Sequence, residues 1–194
     1  MESLKNYSVL DGEKGDQVLH EKSCAVNLRL LQEGDDYREV IFGIKRGMIR
    51  AFNRKYSDYN EIQGISGPNI GIPLRIIAIR IRKKNGDFID GLPEELSKNR
   101  RTKPILFMLN PKISVKSEKI YSIKSNCGSL MLKDPIKVCR HEHIEMVYWD
   151  LKGYMHLNGF DKPAAATIQH EIDHLNGLTI LDRQVKTEEK DYEG

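Results

Sequence analysis

No apolar run in the 194-residue chain approaches the roughly 18 residues that cross a bilayer, so no membrane partner is expected. The opening MESLKNYSVLDGEKG lacks the apolar core of a secretory signal, which makes a reducing cytoplasm the expected location. Cysteine is scarce. Three residues, at 24, 127 and 139, form neither an even framework nor a CxxC pair, which excludes a disulfide scaffold and leaves the thiols available for chemistry. An excess of charge of one sign is also missing: 31 basic and 28 acidic residues leave a net +3, too little to imply DNA or another polyanion as partner. Repeats of helix-pair or blade length are absent as well. What is present, 39% hydrophobic and 30% charged residues, is the composition of a globular chain with one sizeable core.

From Glu39 to about Tyr56, Val40, Ile41, Ile44, Met48, Ile49 and Phe52 recur at three- and four-residue intervals, which predicts an amphipathic helix. Turn formers crowd residues 62–71 and lead into the β-branched run Arg75–Arg80, so a glycine loop feeds a strand. Residues 81–104 read as a long exposed connection. Ile105–Leu109 then reads as a short buried strand ending at Asn110-Pro111, and Ile113, Val115, Ile120 and Ile123 continue a strand pattern. His143–Trp149 and Tyr154–Leu157 flank Asp150-Leu-Lys-Gly153 as a hairpin. The last helix is expected from Asp161, as cap, to Asn176, with Gly177 ending it. Its Ala165, Ile168, Ile172 and Leu175 form one apolar stripe, opposite Pro163, Ala166, Thr167, His170 and His174. The expected division is an arm over residues 1–38, an α+β domain over 39–185 and a charged tail over 186–194.

His170-Glu171-Ile-Asp-His174 places two imidazoles one helical turn apart, so both reach a single cation, while Glu171 points about a quarter turn away. A catalytic divalent site takes three protein ligands and leaves a position for water. The histidine that a metzincin needs is replaced by Ile180, and Glu188 and Glu189 lie in the charged tail. A cysteine is the remaining soft candidate, and Cys127, between Asn126 and Gly128-Ser129, suits close backbone approach better than Cys24 or Cys139. Those two are expected to be buried hydrophobes.

Three segments together resemble the peptide deformylase family, which carries G-x-G-Φ-[AS]-x-x-Q before a strand, E-G-C-x-S, and Q-H-E-x-D-H-L on its final helix. Here the third is intact as Gln169–Leu175, and the resemblance covers about residues 39 to 183. It departs where the first glycine reads Ile62, the glutamine reads Asn69, and Glu-Gly before Cys127 reads Ser125-Asn126. The resemblance implies antiparallel β-sheets around a central C-terminal helix. It implies removal of the N-formyl group from N-formylmethionyl nascent peptides, with one divalent metal, Fe(II) or else Zn, Ni or Co, on Cys127, His170 and His174. Glu171 would take a proton from the attacking water and return it to the leaving amine. Gly128 N–H and the Asn69 amide would face the oxyanion. Gly64 and Ile65 would meet the substrate backbone, and Pro163, Ala166 and Thr167 would line the methionine pocket. Asp173 would support the site without ligating, and a transient ribosome contact through the basic residues 82–103 is a partner the resemblance leaves open. Two alternatives stand: another HExxH metallo-amidase or peptidase, and a divergent relative that binds metal or peptide N-termini with little turnover.

Overall fold

The computed structural model describes residues 18–55, 64–83, 85–98, 104–130 and 132–185. Ile62, part of the basic connection, and Glu188 and Glu189 lie outside them. The helices are α1 (Leu28–Glu33), α2 (Asp35–Lys55), α3 (Glu94–Lys98) and α4 (Ala164–Leu175). The strands are β1 (Gly64–Ser66), β2 (Ile76–Arg80), β3 (Ile105–Lys116), β4 (Ile120–Ser125), β5 (Ile136–His141), β6 (His143–Trp149) and β7 (Met155–Asp161). One antiparallel sheet runs β1-β2-β3-β6-β7, and β4-β5 form a separate ribbon. The period of two in β2 explains the layering. Ile76 and Ala78 face α2 with Ile41, Ile44, Met48 and Phe52, while Ile77 and Ile79 face α4 with Ile168, Ile172 and Leu175. Both sheet faces are covered, and ten of the twelve residues of α4 are buried, so the central C-terminal helix is as expected.

Several boundaries differ from the sequence reading, each for a local reason. Helix α2 starts at Asp35, because Asp35 and Asp36 complement the helix dipole in its first turn. The segment before residue 39 is packed where it is described: Leu19, Val26 and Leu31 are buried, and Asn27 caps α1 by accepting from Leu30 N–H. Strand β3 runs on through Asn110-Pro111. A bulge there absorbs the proline, and the Asn110 side chain clamps Val26 by accepting its N–H at 2.7 Å and donating to its carbonyl at 2.9 Å. Within the connection after β2, Ile81 and Ile89 are buried and Leu92 and Leu96 pack against the α4 core, so it is not simply solvated. Asp161 ends β7 and bonds His143 Nδ1 at 2.8 Å instead of capping α4, whose N-cap is Pro163. Cys24 and Cys139 are exposed. Alternation along β5 turns Val138 and Arg140 inward and Cys139 out. The hairpin turn has Gly153 at φ 83, the left-handed region expected for it.

Candidate active site

Helix α4 carries His170 and His174, and the segment following β4 brings Cys127 against them. The α4 helix is tied to the ribbon by Gln169, which accepts from His141 N–H at 3.1 Å and donates to the His141 carbonyl at 3.0 Å. Cys127 packs with Val138 and Ile180. Its Sγ lies 3.5 Å from His174 Nε2, which lies 3.2 Å from His170 Nε2, and the three donor atoms fall within 4.8 Å of one another. Among the described residues no other group of three His, Cys, Asp or Glu side chains is gathered in this way. At the far end of α4, Arg75 Nη1 donates to the Leu175 carbonyl and to Asn176 Oδ1, closing the helix terminus.

Burial holds both imidazoles neutral. It pushes His170 well below 6.5, with the charges of His174 and Arg140 adding to the effect, and it brings His174 down to about 4 although the Asp173 carboxylate opposes this. Neutral nitrogens offer lone pairs, and two imidazoles with one thiolate are a donor set that first-row divalent metals accept, so these residues fit a metal. Glu171 is 3% exposed, and burial raises its carboxyl to about 8, against a Ser66 hydrogen bond and Arg140. The close approach of β1 explains the glycine there: a Cβ on Gly64 would lie 2.6 Å from Glu171 Cγ and Oε1. Asp173 is occupied elsewhere. Arg140 Nη1 donates to its Oδ2 at 2.6 Å and Arg183 Nη2 to its Oδ1 at 2.7 Å.

The remaining candidates fall into two groups. Thr167 and His170 on α4 and Pro163 at its N-cap are half-buried, and Ala166 beside them is 8% exposed, so one stripe of small groups is what the helix shows outward. Gly128 adjoins Cys127 in the same turn. Ile65 turns its side chain into the α2 core, which leaves only its backbone to meet a ligand. Asn69 is buried with both ends of its amide engaged, Oδ1 by Ser66 and Nδ2 by Ser129. Ser66, Ser129 and Arg140 were not singled out from the sequence. An arginine at an inward position of an alternating strand, between Val138 and Glu142, was the one signal available for Arg140.

An α+β fold that brings Cys127 against the two histidines of an HExxH helix defines the class of protein with a candidate metal site. Residues 13–190 match the polypeptide deformylase family, and the chain belongs to it. A peptide deformylase of Orientia tsutsugamushi strain Ikeda is 30% identical over 124 residues, covering 64% of this chain and 65% of that protein. Peptide deformylase 1A, chloroplastic/mitochondrial, of Arabidopsis thaliana is 30% identical over 178 residues, covering 88% of this chain and 59% of that protein. The chain thus spans less than two thirds of the length of these curated relatives. Among solved structures, the peptide deformylase of Thermotoga maritima superposes with TM-score 0.68 at 23% identity, covering 93% of this chain and 98% of that one. A probable peptide deformylase of Synechococcus phage S-SSM7 does so with TM-score 0.65 at 27% identity, covering 90% and 97%.

Proposed function

We propose that this chain hydrolyses the formamide at the amino terminus of N-formylmethionyl peptides, releasing formate and a free amine. The observation that carries the reading is the gathering of Cys127, His170 and His174 beside Glu171, in a chain of the deformylase family. A divalent metal on these three residues, Fe(II) as the family resemblance implies or else Zn, Ni or Co, would supply Lewis acidity toward the formyl oxygen when bound. Glu171 accepts a proton from the attacking water and delivers it to the amine nitrogen as the C–N bond breaks. Burial raises this carboxyl in the metal-free chain, and the charge of a bound cation would draw it back toward the ionised form that accepts the proton. The Gly128 N–H is assigned to the oxyanion. Peptide would lie as an added strand on β1, the edge of the five-stranded sheet, with backbone bonds at Gly64 and Ile65. Its methionine would sit against Pro163, Ala166 and Thr167. The setting is the cytoplasm, and contact with the ribosome is transient.

Formyl-methionyl peptide hydrolysis by anaerobically iron-loaded protein tests this. Turnover is expected in the wild type, whereas Glu171→Gln keeps its metal and loses turnover by about a hundredfold or more. Cys127→Ala is expected to lose the metal, since two ligands hold a catalytic ion poorly. Metal binding without turnover on any formylated peptide would identify a binding protein instead, and full metal content in Cys127→Ala would overturn the ligand set.

A further inference from the structure

A chain of three small polar side chains runs through the interior beside the metal ligands. Ser66, at the end of β1, is fully buried, and Asn69 and Ser129 are each 6% exposed. Asn69 Oδ1 accepts the Ser66 backbone N–H at 2.7 Å and lies 2.5 Å from Ser66 Oγ, while Asn69 Nδ2 donates to Ser129 Oγ at 2.7 Å. The Glu171 side chain packs over Gly64, two residues before Ser66 on the same strand, and a Ser66 hydrogen bond is among the causes that lower its carboxyl against the effect of burial. At the other end, Ser129 stands two residues after Cys127 in the same turn.

We infer that Ser66, Asn69 and Ser129 are positioning residues: Ser66 holds the Glu171 carboxylate, and Asn69 locks β1 to the turn that carries Cys127. Ser66 has one hydroxyl proton and two acceptors within reach, Asn69 Oδ1 and Glu171. Its backbone N–H keeps Oδ1 satisfied when the hydroxyl turns to Glu171, so the switch leaves no buried carbonyl unpaired. Asn69, in contrast, is fixed at both ends. Swinging its amide toward a substrate oxygen would break its bonds to Ser66 and Ser129 and leave buried polar groups unpaired. Asn69 therefore acts through its neighbours and not on the developing oxyanion.

The kinetic part of this inference rests on the proposed hydrolysis; the metal part does not. The full chain loaded with Co(II) provides both readouts. Ser66→Ala is expected to lower kcat about tenfold or more with KM within about twofold, leaving Co(II) affinity and the thiolate-to-cobalt absorption band unchanged. Asn69→Ala and Ser129→Ala are expected to weaken Co(II) binding roughly tenfold and shift that band, because the Cys127 turn loses its tether. Ser129→Thr keeps the hydroxyl and restores both. Unchanged Co(II) affinity in Asn69→Ala and Ser129→Ala overturns the bridge, and so does unchanged kcat in Ser66→Ala. A kcat loss in Asn69→Ala with an unaltered cobalt site would return that residue to the oxyanion. Absence of turnover in the wild type would remove the hydrolytic reading, yet the cobalt affinities would still decide the bridge.

Discussion

Glu171 is the residue where environment and chemistry meet most closely. Its carboxyl, raised by burial from 4.5 to about 8, stays protonated in the metal-free folded chain at pH values where the unfolded chain has ionised it. The unfolded state then binds fewer protons, so this group's contribution to stability is complete below pH 4.5 and lost as pH rises toward 8. Melting temperatures of metal-free wild type and Glu171→Gln between pH 5 and 8 check this. The wild type is expected to fall relative to the variant as pH rises, and parallel curves would show that the carboxyl is not so perturbed. Gly64 is bound to the same residue. A methyl there meets Glu171 Cγ at 2.6 Å, and a displacement of the order of an ångström costs about a hundredfold in rate. Gly64→Ala should therefore lose turnover by that factor while retaining metal, measured by steady-state kinetics and metal content together.

Helix α4 is held by polar contacts at three points: Gln169 on β5, Arg75 at its end, and Asp173 between Arg140 and Arg183. Arg140 and Asp173 are each about 95% buried, so removing Asp173 leaves the Arg140 guanidinium buried without its carboxylate, at a cost of about 3 to 5 kcal/mol. Asp173→Leu should destabilise the fold by that amount in urea titration, whereas Asp173→Leu with Arg140→Met should recover most of it. The helix itself was legible in the sequence, because Ala165, Ile168, Ile172 and Leu175 keep helical spacing and HExxH fixes where the ligands lie. Cys127 was legible through the small residues around it. The inward Arg140 was not, since which face of the β4-β5 ribbon is buried depends on where α4 packs. Asn110 continuing β3, and Asp161 bonding His143 and not capping α4, likewise follow from neighbours distant in sequence. From its motif position the amide of Asn69 reads as a donor to substrate, and its bonds to Ser66 and Ser129, on which the positioning role is inferred, come from neighbours the motif does not specify.

At the scale of the molecule, the segment preceding α2 belongs to the core. Burying Leu19, Val26 and Leu31 contributes about 1.5 to 3 kcal/mol each, a large share of the roughly 5 to 15 kcal/mol that stabilises a domain. A variant beginning at residue 39 is therefore expected to lose cooperative thermal unfolding, and a sharp transition near the wild-type temperature would make residues 1–38 a dispensable arm. The strand β1 sets a different kind of limit. Its described part, Gly64–Ser66, offers three residues of sheet edge, about 10 Å of ladder, before the chain turns into the helical turn at Pro68–Ile70. Under the proposed function, a guest strand on so short a ruler would be measured over its first few residues. Such a surface, under that same function, would sort polypeptides by how they begin and stay blind to how they continue, as suits a catalyst that meets newly made chains of every sequence.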